Sequence, residues 1–416
     1  VPGTHAGGDA RLVLDTEVAV VGAGAAGLSL AHRLCAPGPG GHPPGGGVVL
    51  VDAPAGPLRP PGRTWCFWEE PGGDWDDLLV RSWDRLRVRG PDGGSITVSP
   101  SPLRYKMLSS DTFEQAVRAR LGTAVTCVEA TVRAVRDRPA GAEVLGVTPD
   151  GRRLRVRARW VFDSRPPPCP PPARTALLQH FRGWFVHTGR PVFDPSTAEL
   201  MDFRVPQPRH GLAFGYVLPL AADRALVEYT EFSAAPLHPA GYDRLLRHYT
   251  HRVLGLGRFE VTGTEQGAIP MTDGRHRRRT GRAVFRIGAA GGATRPSTGY
   301  TFAGVQRQTR AVAAALREGR VPVPPAAHTG RARAMDAVVL RALDTGRLDG
   351  PSFFTGLFRT VPADRLLRFL DGDTRLLEDF GIGLRTPVLP MLRTAAELPA
   401  LPRRPVRAHR REGNRP

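Results

Sequence analysis

The sequence predicts an α/β fold: a Rossmann-like domain, an inserted domain built on an antiparallel β-sheet, and a C-terminal helical region. Three observations predict it. The apolar run Val18-Ala19-Val20-Val21 feeds through Gly22-Ala23-Gly24-Ala25-Ala26-Gly27 into Leu28-Ser29-Leu30-Ala31-His32-Arg33-Leu34, which reads as strand, glycine turn and helix. Strand-like runs at Leu178–Val186, Glu199–Val205, Ala213–Leu218 and Arg224–Phe232 alternate with polar turns, as an antiparallel sheet allows. Beyond His328, periodic Leu, Val and Phe mark helices.

The first turn suits a dinucleotide. Gly22 permits the turn, Gly24 lets the backbone approach a pyrophosphate, and Gly27 lets the helix sit close to the sheet. The phosphates would lie at the helix N-terminus, beside Ala26, where backbone N–H groups are free. Val48-Val49-Leu50-Val51 is a second buried strand, and Asp52 after it is placed to accept hydrogen bonds from a ribose. The spacing from Gly24 to Asp52 exceeds the usual value of about 20 residues. The Gly/Pro-rich piece Pro37 to Gly47 accounts for the excess and reads as an insertion. A second strand-to-helix junction runs from Ala283–Gly288 through Ala289-Ala290-Gly291-Gly292, and Pro296–Phe302 opens a helix that continues to Leu316.

The other elements follow in order. Residues 1–16 are expected to be a disordered lead-in. Arg63-Thr64-Trp65-Cys66-Phe67-Trp68 is either core or a pocket wall. Trp75–Pro100 reads as a short helix and strands, and Phe113, Val117 and Leu121 share one face of the next helix. Val125–Trp160 reads as a β-ribbon, and a strand ending in Asp163 returns the chain to the nucleotide. Pro166–Pro172 marks a boundary. Tyr242–Leu256 is a surface helix, and Glu265–Met271 a short extended element. The Rossmann-like domain thus takes 17–62, 101–165 and 282–325, the inserted domain 63–100 and 166–281, and the helical region 326–398, with 399–416 a disordered tail.

The formal charge is +19, carried by arginines dispersed through every segment, with Lys106 the single lysine. Dispersed arginine without a reading module argues against nucleic acid but favours adsorption to anionic lipid. No run of 18 apolar residues is present, and the N-terminus carries no basic segment followed by an apolar one. Cys35, Cys66, Cys127 and Cys169 share no metal-ligand spacing, so the expectation is a cytoplasmic protein with reduced thiols and no metal.

Leu226-Val227-Glu228-Tyr229-Thr230-Glu231-Phe232 stands out because acidic residues are poor strand formers. On alternation Glu228 and Thr230 share one face, and Val227, Tyr229 and Glu231 the other. Such a strand either lies at a sheet edge, using charge to discourage pairing, or buries a carboxyl in an apolar pocket as a general acid.

With the glycine motif, the Arg63–Trp68 block, Tyr105–Phe113, Asp163-Ser164-Arg165, Gln179–Gly183, Met201-Asp202-Phe203, Glu228-Tyr229-Thr230, Gly267–Met271 and Gly291–Phe302, the chain resembles the bacterial lycopene β-cyclases, flavoproteins related to the plant carotenoid cyclases. The resemblance implies a domain of the flavoprotein hydroxylase/reductase type that binds FAD, needs it reduced, takes NAD(P)H as reductant and causes no net redox change. It implies lycopene and other linear or monocyclic carotenes as substrates, whose ψ ends close to β rings, and peripheral contact with the inner face of a membrane. Glu228 matches the first glutamate of the plant Phe-Leu-Glu-Glu-Thr motif and takes the role of acid; Tyr229 stands where that motif has its second glutamate. Trp65, Phe67, Trp68, Tyr229 and Thr230 are the candidates for stabilising a cation. Arg63, Asp163, Gly288, Gly292, Pro296, Gly299, Tyr300 and Thr301 join the first glycine turn as cofactor-binding candidates. An FAD-dependent monooxygenase or desaturase would share the nucleotide half but change the oxidation state of its substrate, and a basic adaptor protein would lack a pocket.

Overall fold

The computed structural model describes residues 10–35 and 46–406. The chain opens with β1 (Arg11–Val21), α1 (Ala25–Cys35) and β2 (Val48–Asp52). There follow β3 (Thr64–Glu69), β4 (Leu79–Trp83), β5 (Arg85–Arg89), β6 (Ser95–Val98), β7 (Arg104–Ser109) and α2 (Ser110–Leu121). Next come β8 (Val125–Glu129), β9 (Thr131–Arg138), β10 (Gly141–Val147) and β11 (Arg153–Asp163). The inserted sheet supplies β12 (Ala176–His187), β13 (Thr197–Asp202), β14 (Leu212–Pro219) and β15 (Arg224–Ser233), then α3 (Pro239–His248) and β16 (Glu260–Thr272). The chain returns through β17 (Val284–Arg286) and α4 (Phe302–Arg317). It ends in α5 (Gly330–Asp344), α6 (Gly350–Thr360), α7 (Ala363–Asp371), α8 (Leu376–Gly383) and α9 (Val388–Glu397).

Three sheets organise these elements. The first runs β8-β2-β1-β11-β10-β9, with β17 parallel to β11 beyond β10. Its strands β8, β2, β1 and β11 are parallel, and Val18, Val20, Leu28, Leu30, Phe162 and Phe285 fill the core beside them. The second runs β16-β12-β15-β14-β13-β5-β6 and packs on the C-terminal helices through a core that includes Phe203, Phe214, Phe353 and Leu366. A small sheet, β3-β7-β4, lies between these two cores and contributes to both.

Several expectations need correction. The strand begins at Arg11, because Arg11–Thr16 pairs with Arg153–Ala158 along the outer half of β11. Those residues alternate between exposed and half-buried, which made them read as a segment that buries nothing. Residues 1–9, 36–45 and 407–416, which hold most of the expected insertion and both tail ends, lie outside the described residues. Residues 399–406 are not a free tail, since Arg404 exchanges two backbone hydrogen bonds with Ala173. Within the expected ribbon, β8 instead pairs parallel to β2, Val48 opposite Val125. The segment 63–100 is split: β3 and β4 flank β7, whereas β5 and β6 extend the inserted sheet. Glu265–Met271 is part of a 13-residue strand rather than a short element, paired along β12.

Candidate active site

β15 lies between β12 and β14, so the edge-strand explanation for its acids is excluded. One row of residues crosses four strands on a single face. Tyr216 of β14 pairs with Glu228, Glu228 with Gly183 of β12, and Gly183 with Glu265 of β16. The Glu228 side chain is buried and accepts a hydrogen bond from Thr230 Oγ1 at 2.5 Å, through Oε1. Burial pushes its carboxyl well above the usual carboxylate range, and the Glu265 charge adds to the shift. Glu265 is raised as well, by burial, but Thr64 opposes this by donating to its Oε2 from both N (3.1 Å) and Oγ1 (2.7 Å).

Hydroxyls and aromatic rings line the same layer. Tyr105 Oη lies 2.6 Å from Tyr216 Oη and 2.9 Å from Tyr300 Oη. Burial keeps all three phenols protonated, and it pushes the Cys66 thiol beside them up to about 12. Alternation along β3 sorts the aromatic block. Thr64, Cys66 and Trp68 face Glu265, Tyr216 and Tyr300 respectively, Trp68 meeting Tyr300 edge-on at 4.5 Å between centroids. Trp65 and Phe67 face the other way, stacked on and tilted against Phe302. These two belong to the core of the nucleotide half rather than to the wall near Glu228. Tyr229 is also on the wrong side: its Oη donates to Glu231 Oε2 at 2.9 Å, among Tyr242, Tyr249 and Val227. Of the expected cation-stabilising group, Trp68 and Thr230 remain beside the acid.

The nucleotide residues gather at the C-terminal ends of the parallel strands. Gly22 has φ +90°, and a Cβ on Gly27 would stand 1.8 Å from Gly22 O, so both positions demand glycine. A Cβ on Gly24 would meet nothing within 4 Å, which leaves an open cradle over the start of α1. Asp52 Oδ1 accepts from Ala23 N at 3.1 Å, and its Oδ2 from Arg118. Gly288 lies against Ala26, a Cβ there coming within 2.7 Å of that methyl, so the two glycine junctions abut. The N–H of Gly288 is not free, however: Gln308 Oε1 accepts it at 3.0 Å, and Gly292 N–H goes to Ala289 O. Asp163 is closed into its own turn, its carboxylate holding the backbone and guanidinium of Arg165. Arg63 is exposed and anchored to Ser110 through its backbone.

Residues 294–300 form a loop gripped from behind. Ser297 Oγ and Arg295 Nε both reach Asp336 Oδ1 of α5, at 2.6 and 3.1 Å. Pro296, Thr298 and Tyr300 therefore turn to the other, half-buried side. Thr301 Oγ1 bridges the loop's ends at 3.0 Å from Thr294 Oγ1. Gly299, at φ +74°, passes so close to Gln179 that a Cβ would stand 2.0 Å from Gln179 Oε1. Gln179 Oε1 and Thr298 Oγ1 are buried without a hydrogen-bond partner. Orphaned polar atoms at a glycine loop, together with the open cradle at Gly24, fit a polar planar ligand that reaches from that cradle to the 294–300 loop. Gln179 shares the β12 face with Gly183, four residues and so roughly 13 Å along the strand.

Glu265, Thr64, Tyr105 and Tyr216 belong to the site although sequence reading passed over them. The registers of β12 against β15 and β16 bring Glu265 to Glu228, and the trace of this in the sequence is a glycine, Gly183, inside a strand.

The comparisons agree with this architecture. A geranylgeranyl bacteriochlorophyll reductase-like protein from Thermoplasma acidophilum is similar over 94% of this chain and 100% of its own (TM-score 0.63, 13% identity). A flavoprotein/dehydrogenase from Cytophaga hutchinsonii covers 92% and 100% (TM-score 0.59, 13% identity), and a p-nitrophenol 4-monooxygenase from Pseudomonas putida 94% and 99% (TM-score 0.58, 17% identity). At such identities the likeness shows the fold, that of the flavoprotein hydroxylases and reductases. No curated sequence gives a match. The family model described as "Lycopene cyclase protein" matches residues 17–396, and the chain accordingly belongs to the lycopene cyclase family.

Proposed function

We propose that this protein is a lycopene β-cyclase, an isomerase that closes the ψ ends of lycopene to β rings by way of γ-carotene, with no net redox change. The observation that supports it most is Glu228: a carboxyl buried in the middle of a sheet among rings and hydroxyls instead of water, where burial favours its neutral form. An alkene is a very weak base, so the acid must be loaded, dry and well aimed. Glu228 gives its proton to the terminal double bond, the neighbouring double bond closes the ring, and a carboxylate of the site takes the proton that leaves the ring. Thr230 orients the Glu228 carboxyl, and the π-face of Trp68 with the phenols of Tyr105, Tyr216 and Tyr300 surrounds the cation. FAD, when bound and reduced, would supply negative charge for the carbocation, with NAD(P)H as its reductant and no net transfer of electrons to or from the carotene. Gly22, Gly24, Ala26, Gly27 and Asp52 would hold its adenylate end, and Pro296, Thr298, Gly299 and Gln179 its ring end.

A hydrocarbon substrate of this length resides in lipid, and the protein's reading as a peripheral protein of the inner membrane face rests on α8 and α9. Leu376, Leu377, Phe380, Leu384, Leu389 and Leu392 are each at least 60% exposed there. Glu378 and Asp379 on the same segment turn inward onto Arg368 and Arg331, while Arg375, Arg385 and Arg393 are exposed. Among the described residues no helix is long and apolar enough to cross a membrane.

The test is purified protein with reduced FAD and lycopene in vesicles, wild type beside Glu228→Gln. The variant is expected to bind flavin and to lose at least about 100-fold in ring closure. Full activity would remove Glu228 from the acid's role, and a product differing from lycopene in mass would favour an oxidising or reducing enzyme instead.

A further inference from the structure

We propose that Glu265 positions the proton of Glu228, the two carboxyl groups forming one proton-sharing pair that the missing side chain of Gly183 allows to meet. This deepens the cyclase reading and rests on Glu228 being its acid.

Glu228 and Glu265 sit on strands separated by β12, so their backbones are about 10 Å apart. An ordinary side chain at position 183 would stand between them. A Cβ there would lie 3.5 Å from Glu228 Cβ, 3.4 Å from Glu265 Cγ and 2.8 Å from Leu226 Cδ1. With glycine in that place the two carboxyls face each other over the open gap, and each shifts the titration of the other. A hydrogen bond between them needs a single proton, and the surroundings decide its owner. Glu265 takes two hydrogen bonds from Thr64 and feels the positive charge of Arg63, all of which favour its ionised form. Glu228 takes only the Thr230 hydroxyl. The remaining groups that face the pair are Cys66 from β3, Tyr105 from β7, Tyr216 from β14 and Tyr300 from the 294–300 loop, all neutral at physiological pH. Glu228 therefore carries the proton and Glu265 the charge.

The pair closes the proton balance of the reaction. On protonation of the substrate the Glu228 O–H bond breaks and a C–H bond forms, leaving two carboxylates opposite one carbocation. When the ring C–H breaks, its proton returns to the pair and its electron pair forms the ring double bond. No external base, oxidant or reductant enters.

Infrared titration of the protonated-carboxyl band in the intact protein tests the pair without relying on activity. The wild type is expected to keep this band above pH 7, and Glu228→Gln to lack it. Glu265→Gln, nearly isosteric, should move its midpoint down by about one pH unit or more, because the neighbouring negative charge is gone. The alkaline limb of cyclisation should move with it at unchanged KM. Gly183→Ala, which pries the carboxyls apart, should also lower the midpoint. An unchanged midpoint in folded Glu265→Gln overturns the pair. A shifted midpoint in a protein that cyclises no carotene upholds the pair and overturns the cyclase reading instead.

Discussion

Two glycines five positions from each other in the first turn and its flank, Gly22 and Gly27, are fixed by geometry, and Gly24 between them is not. Gly27→Ala drives a methyl into Gly22 O and should cost about 1–3 kcal/mol or more, visible as a lowered thermal midpoint. Gly24→Ala meets open space, so apoprotein stability should stay within about 0.5 kcal/mol of wild type while flavin affinity falls. If both variants behave alike, the cradle is not where the pyrophosphate lies. Glu228 carries its own signature at this scale. Its folded carboxyl titrates above the unfolded one, so the folded state binds the extra proton and stability is lost as pH rises above the unfolded value. The gain in thermal midpoint from Glu228→Gln should be smallest near pH 4 and grow upward from there. A gain independent of pH would mean that the carboxyl is solvated.

At the scale of elements, β3 and the α8–α9 pair show what periodicity can and cannot give. The alternation of Thr64-Trp65-Cys66-Phe67-Trp68 was open to reading, and it separates Trp65 and Phe67 from Trp68 without any structure. Which set faces the acid was not, because that depends on β3 pairing with β7 and on α4 covering the opposite side. The helices at Leu376–Phe380 and Val388–Ala396 were legible from their spacing, but an apolar face left without a packing partner has the same spacing as one packed in a core. Replacing Leu377 and Leu389 together by Asp should reduce co-sedimentation with vesicles containing phosphatidylglycerol by at least about tenfold, since each leucine inserted contributes about 2 kcal/mol. Flavin binding and thermal midpoint should be unaffected, for both side chains are about four-fifths exposed.

For the molecule as a whole, the opening strand, turn, helix and strand within 17–52 were legible because they are local, whereas the parallel place of β8 beside β2 was not, since it is fixed by a pairing across some 75 residues. The inserted sheet was legible as strands but not as a site, since Glu228, Gly183 and Glu265 are joined only by pairings across some 45 and 80 residues of chain. The net charge of +19 makes vesicle adsorption a long-range attraction as well as an insertion. Binding should weaken as salt rises to about 0.5 M, where the Debye length falls to a few ångströms, and should level off at the part that the leucines supply. Binding that does not respond to salt would leave the arginines without a part in it.

Lys106, the lone lysine, is 1% exposed and held by Glu69, Asp76 and the carbonyl of Glu70. Amine-directed acylating reagents consequently have no side-chain target on the native fold. Mass spectrometry of the peptide bearing this residue would then count the fraction of molecules that have opened, a built-in gauge of unfolding that needs neither tag nor dye.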